Sequence, residues 1–141
     1  DVGQNTSEEV DFQLASSSGG ENYGWNIMEG MGCFPSGTCD QTGLVFPVFT
    51  YPTDILGCAV SGGFVYRGVD NPGMQGIYFA GDYCSGNIWG LRGTGSIWEN
   101  SLLLDTTFVI SSFGEDEAGE LYITDRTTGN IYQIVEATSG S

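Results

Sequence analysis

Apolar and polar residues along this chain alternate in short stretches, and no stretch spaces its apolar residues as a helix would. Two stretches carry the same alternation. One is Gly76-Ile77-Tyr78-Phe79-Ala80-Gly81-Asp82-Tyr83-Cys84-Ser85-Gly86-Asn87-Ile88-Trp89-Gly90-Leu91. The other is Gly119-Glu120-Leu121-Tyr122-Ile123-Thr124-Asp125-Arg126-Thr127-Thr128-Gly129-Asn130-Ile131-Tyr132-Gln133-Ile134. They align without a gap, 43 residues apart, as the distance from Gly76 to Gly119 shows. The flanks are β-branched or aromatic, which suits strands. The turns begin with Asp and end with Gly: Asp can bond its own backbone, and Gly tolerates positive φ. Each copy is therefore predicted as strand, turn, strand. A period of about 40–45 residues with several strands per unit is that of a β-propeller blade. Two unrelated hairpins of a β-sandwich are the alternative, and the gapless register disfavours it.

Further strands are predicted around these hairpins. Glu9-Val10-Asp11-Phe12-Gln13-Leu14 alternates and reads as the last strand of an earlier blade. The expected organisation is 1–15 as the end of one blade, 16–43 as a Gly- and Ser-rich disulfide loop, 44–104 as a second blade and 105–137 as a third. Residues 138–141 read as a tail. The fold class is all-β, a partial β-propeller of about two to three blades. A ring needs at least about four blades, so strand edges and apolar faces are expected to stay open.

Charge narrows the function. The chain of 141 residues carries 18 Asp+Glu against 3 Lys+Arg, with no His, for a net charge of −15. Three arginines cannot neutralise a phosphate backbone, so no nucleic-acid partner is expected. No apolar run approaches the ~20 residues of a membrane-spanning helix, so no membrane insertion is expected either. Without His there is no Ser/His/Asp set and no His-ligated zinc. Calcium is different, because it takes carboxylate and carbonyl oxygens. The sequence opens directly on what reads as folded chain, so a processed protein or a piece of a longer one is expected.

Four cysteines allow three pairings. Cys33 and Cys39 bracket a short turn, and Cys58 and Cys84 lie in two β-like segments, which favours Cys33–Cys39 with Cys58–Cys84. Free buried thiols are the alternative. Asn5-Thr6-Ser7 is an N-glycosylation sequon with Asn5 as acceptor. Disulfides and a sequon together point to an extracellular, secreted setting, or a periplasmic one.

Five ordered motifs resemble one known family. They are Asp1-Val2-Gly3-Gln4-Asn5 with Glu8-Glu9-Val10-Asp11; Glu21-Asn22-Tyr23-Gly24-Trp25 with Glu29-Gly30; Gly57 to Gly68, including Ser61-Gly62-Gly63 and Tyr66-Arg67-Gly68; Asp82-Tyr83-Cys84-Ser85-Gly86; and Ser112 to Tyr122. The chain resembles the C-terminal part of the glucose/sorbosone dehydrogenases, soluble quinoprotein aldose dehydrogenases built as six-bladed propellers. The Cys-containing motifs look closest to a secreted branch that includes hedgehog-interacting-protein-like proteins. The resemblance implies calcium and pyrroloquinoline quinone (PQQ) as cofactors. It implies calcium ligation by the carbonyls of Gly3 and Gln4, the carboxylate of Glu9 and the carbonyl of Tyr23, with Glu29 as a lesser candidate. It puts Ser61, Gly62, Gly63, Tyr83, Cys84 and Ser85 on the quinone side. The family's catalytic His falls outside the matched part.

The residues also have plainer readings. Glu9 reads as a solvated strand residue, and Tyr23 and Trp25 as packing groups. Glu115-Asp116-Glu117 with Glu120 reads as a solvated turn, and Trp25, Trp89 and Trp98 as packing between blades. The expected function is an extracellular propeller segment resembling a PQQ-dependent sugar dehydrogenase, inactive alone, with PQQ bound only in an intact catalytic parent. Its expected partner is the remainder of the propeller or further copies of itself. The alternative is a non-catalytic secreted binding or structural module that assembles through open blade edges into an oligomer or fibre.

Overall fold

The computed structural model describes residues 1–94 and 97–137, so the tail expected at 138–141 lies outside the described residues. The chain is nearly all β, as expected, with one helical turn at Thr53–Leu56 and one 3-10 turn at Pro72–Met74. It forms two compact units, Asp1–Val60 and Ser61–Ser141.

In the first unit, β1 (Ser7–Val10) pairs antiparallel with β4 (Phe49–Pro52), Ser7 opposite Pro52 and Val10 opposite Phe49. Between them β2 (Met28–Glu29) and β3 (Gly32–Cys33) form a small hairpin. The Cys33–Cys39 disulfide, with Cα atoms 5.5 Å apart, closes the following turn. Two boundaries differ from the sequence reading. The strand expected over 9–14 spans Ser7–Val10, leaving Phe12 and Leu14 exposed. The segment from residue 44 contributes β4 to the first unit, rather than opening the second blade. Hydropathy placed Phe12 and Leu14 inside, whereas the strand buries two acids, Glu8 and Glu9, on opposite faces.

The second unit contains two sheets. β5 (Val60–Ser61, at the junction), β6 (Tyr78–Asp82), β7 (Asn87–Thr94) and β8 (Ile97–Asp105) lie in that order in one. β9 (Ile110–Glu115), β10 (Leu121–Asp125) and β11 (Asn130–Gln133) form the other, with β10 in the middle. The 43-residue repeat holds in the pairing. Phe79 opposite Gly90 and Gly81 opposite Ile88 recur as Tyr122 opposite Gln133 and Thr124 opposite Ile131. It holds in the turns as well. Asp82 Oδ1 accepts from the amides of Cys84 and Ser85, both at 2.8 Å, and Asp125 Oδ1 accepts from that of Thr127 at 3.0 Å. Gly86 and Gly129 follow at φ +75° and +74°, where a side chain would be strained.

The core of this unit lies between the two sheets. Phe79 and Ile88 from the first sheet meet Ile110, Phe113, Leu121, Ile123 and Ile134 from the second. Gly81 lets them close: a Cβ there would stand 3.2 Å from both Ile110 and Phe113. Trp89 is buried, in keeping with a packing role, but Trp25 is 85% exposed.

Glu120 corrects the reading of the acidic loop as solvated throughout. It is buried, and its Oε1 accepts the amides of Val69 and Asp70, each at 3.1 Å. Its Oε2 accepts from the Tyr66 hydroxyl at 2.8 Å and Asn71 Nδ2 at 3.0 Å. A Cβ on Gly68 would collide with this carboxylate, so Tyr66-Arg67-Gly68 fits around Glu120.

Candidate metal centre

The residues implied as calcium ligands come together in the first unit. Gly3, Gln4, Glu9 and Tyr23 all line one cavity of about 290 Å³, with Asp1, Trp25 and Glu29 also on its wall.

Local folding builds the cavity from three segments. The 1–6 loop runs into β1, the 21–27 segment leads into β2, and Glu29 closes β2. Glu29 organises the first of these. Its Oε1 accepts backbone amides from Gln4 at 2.9 Å, Asn5 at 2.7 Å, Thr6 at 2.6 Å and Ser7 at 3.2 Å. Burial pushes the Glu29 carboxyl up, but the bonds from Thr6, Asn5 and Ser7 outweigh it and hold it at about 2. Glu29 is thus an anion at any ordinary pH. Gly3 must be Gly, because a Cβ there would collide with the Ser7 carbonyl. Gly30, at φ +58°, likewise has no room for a Cβ beside the Ser7 side chain. Glu8, on the opposite face of β1, joins the ends of the unit: Oε1 accepts Gly3 N at 3.1 Å and Oε2 accepts Val60 N at 2.8 Å.

Glu9 is buried, unlike the solvated strand residue of the plainer reading. Its Oε2 accepts the Gly30 amide at 2.7 Å. Burial, and then the charge of Asp11, pushes its carboxyl above the usual range. Burial raises Asp11 as well. Carboxylate oxygens of Asp1, Glu9 and Asp11 lie within 4.8 Å of one another. Sequence reading missed Asp1 and Asp11, although the crowding of Asp1, Glu8, Glu9 and Asp11 into one short stretch was visible.

Two oxygens at this end of the unit have no donor. Glu29 Oε2 and Asp11 Oδ1 are both buried and accept no hydrogen bond. A buried carboxylate oxygen without a partner is costly. Together with like charges within a few ångströms, this is an arrangement a cation relieves. The donors are hard oxygens of mixed kind, which suit calcium. The residues present therefore fit that ion.

The positions implied for the quinone side lie elsewhere. Ser61 Oγ donates to the Ile110 carbonyl at 3.2 Å, and Gly63 N to the Tyr78 hydroxyl at 3.2 Å. Tyr83, Cys84 and Ser85 occupy the β6–β7 turn, where Asp82 is buried beneath them. None of the six lines either described cavity, and none is cationic. Arg92 donates to the Gln75 carbonyl at 2.8 Å. PQQ carries three carboxylates and needs cationic partners, so these six residues do not fit it by themselves. Cys58 and Cys84 are both disulfide-bonded and no cysteine is free, which suits an oxidising compartment. Asn5 is exposed.

No family model matches this chain. It is similar to the HIPL1 protein of Arabidopsis thaliana, with 29% identity over 169 aligned positions that cover 96% of this chain. The chain spans 24% of the length of that relative.

Proposed function

We propose that this chain is an extracellular, non-catalytic part of a propeller of the glucose/sorbosone dehydrogenase type, and that its first unit binds calcium. The ligands are the Glu9 carboxylate and the carbonyls of Gly3, Gln4 and Tyr23, with Glu29 and Asp11 supplying further charge. The observation that carries this reading is the pair of donorless buried oxygens, Glu29 Oε2 and Asp11 Oδ1, at the acidic end of the unit. Likeness to the HIPL1 protein and the disulfides support the propeller type and the secreted setting. Asn5 is the proposed glycan acceptor. PQQ and sugar oxidation would belong only to an intact catalytic parent, because these 141 residues contain no His to serve as base. Bound there, calcium would neutralise the acid cluster of Glu9, Asp11 and Glu29, beside the 1–6 loop that Glu29 already fastens.

The test is titration of the 141-residue chain with calcium by calorimetry. Terbium is titrated in parallel, with emission excited through Trp25 and Tyr23. One calcium per chain is expected, with sensitised terbium emission that calcium displaces. Absence of calcium uptake at millimolar concentration would sink the metal reading. In a second arm, the chain loaded with PQQ and calcium is offered aldoses and a reducible dye. No turnover is expected, and turnover would overturn the non-catalytic part.

A further inference from the structure

β8 is the end strand of its sheet, paired with β7 along one edge. An antiparallel strand turns every second amide and carbonyl away from its neighbour, so the other edge of β8 presents a row of backbone donors and acceptors. Proteins shield such edges with short strands, Pro, Lys or bulges. β8 runs for nine residues, Ile97-Trp98-Glu99-Asn100-Ser101-Leu102-Leu103-Leu104-Asp105, with no Pro and no cation. A bulge is its one shielding device: Ile88 faces Leu104 and Trp89 faces Leu102, and the extra residue between them is another leucine, Leu103. Burial stops at this strand. Ile88 and Trp89 are buried, while Leu102, Leu103 and Leu104 are 51%, 42% and 47% exposed. The sheet already holds the four strands of a propeller blade, so no further strand of the blade belongs on this edge.

Charge selects the strand that fits there. Glu99 and Asp105, both exposed, bracket the leucines. On its inner side Glu99 already faces a cation, Arg92. A second copy of β8 laid antiparallel about Leu102 would bring the leucines together, but it would set Glu99 of each copy opposite Asp105 of the other, and like charges directly opposite are destabilising. We propose that the outer edge of β8 binds an extended segment of another protein by strand addition. That segment carries apolar residues against Leu102, Leu103 and Leu104, and Lys or Arg at both ends, opposite Glu99 and Asp105. A chain of net charge −15 draws such a segment in and turns acidic ones away. The proposal stands on the sheet edge and its charge, so loss of calcium binding leaves it intact.

Calorimetry and amide hydrogen exchange read by mass spectrometry test it on the 141-residue chain, with two end-blocked peptides of the length of Glu99–Asp105. Both alternate Val and Thr; one has Lys at each end, the other Glu. The Lys-ended peptide is expected to bind at least about tenfold more tightly, to weaken as salt rises, and to slow exchange across Ile97–Asp105. Leu102→Lys puts a cation on the edge and should abolish this binding. Glu99→Lys combined with Asp105→Lys should reverse the preference in favour of the Glu-ended peptide. All three positions are exposed, so melting of both variants should be unchanged. The doubly substituted chain is still strongly acidic, so a preference set by overall charge alone would not reverse, and that result overturns the proposal. No binding of either peptide at millimolar concentration also overturns it. So does protection that falls instead on the open groove of about 380 Å³ lined by Tyr122, Thr124 and Ile131. Protection of β8 that grows with the concentration of the chain alone would make the occupant a second copy, and uptake by phosphatidylcholine vesicles that Leu102→Lys abolishes would make it a lipid surface; either result overturns the proposal.

Discussion

The Tyr66 hydroxyl donates to Glu120 Oε2 at 2.8 Å, joining two buried residues 54 positions apart. This bond fastens the 66–71 loop to the start of β10, with Asn71 and the amides of Val69 and Asp70 on the same carboxylate. Tyr66→Phe leaves the anion with one donor fewer. Glu120→Ala strands two amides, a hydroxyl and an amide side chain. We predict that thermal melting falls for both, and on the order of 5–10 °C for Glu120→Ala. Equal melting of Glu120→Ala and the parent chain would show that the network contributes nothing.

Acid should unfold the first unit through Glu29. Its carboxyl stands at about 2 in the folded chain against 4.5 for the free group. A depressed carboxylate contributes stability that is present above the unfolded value and lost as pH falls through the folded one. Stability should therefore drop between about pH 4.5 and pH 2, measured by urea midpoints across that range. Glu29→Gln should lower stability at neutral pH and flatten this part of the profile. An unchanged acid limb in the variant would refute the assignment.

Glu9 has the opposite sign. Its carboxyl is raised, by burial and then by Asp11. The folded chain therefore holds its proton more tightly than the unfolded chain. That contribution is present below the unfolded value and is lost as pH rises through the folded one. At neutral pH the metal-free chain should thus gain stability from Glu9→Gln, while calcium should no longer stabilise the variant. In the parent chain, calcium affinity should weaken as pH falls, since protons compete for the same oxygens. Calorimetric titrations at pH 7.5 and pH 5 check this, and a pH-independent affinity would contradict it.

Matched positions of the repeat should respond differently to the same truncation. Ile88→Ala opens a hole between two sheets and should cost about 2–5 kcal/mol. Ile131→Ala removes an exposed side chain from the 141-residue chain and should change stability by less than about 0.5 kcal/mol. Urea denaturation with a common slope reads both. Similar costs at the two sites would mean that the outer face of the β9–β11 sheet is not bare.

Local chemistry made much of the second unit legible. Asp82 and Asp125 start turns that Gly86 and Gly129 finish, and the alternation of Tyr78 to Leu91 and Leu121 to Ile134 sets two antiparallel hairpins in one register. Each of these features is settled within a few residues, so it is written in the pattern. The residues proposed as calcium ligands, which line one cavity, were reachable only through family resemblance, because Gly3, Glu9 and Tyr23 show no spacing of their own.

Tertiary structure alone decided the fate of the acids. Glu9 and Glu120 read as solvated in the sequence, yet both are buried, as are Glu8 and Glu29. What makes their burial tolerable is a set of backbone amides from distant parts of the chain: Val60 for Glu8, Gly30 for Glu9, Gln4 to Ser7 for Glu29, and Val69 with Asp70 for Glu120. The pairing of β1 with β4 was equally out of reach, since it joins Val10 to Phe49 across a loop whose own pattern is irregular. The sequence by itself thus determined an all-β repeat with an open end and a strong negative charge. Which carboxylates fasten loops, and which single carboxylate oxygens are left without a donor, depends on which backbone amides fold back to meet them.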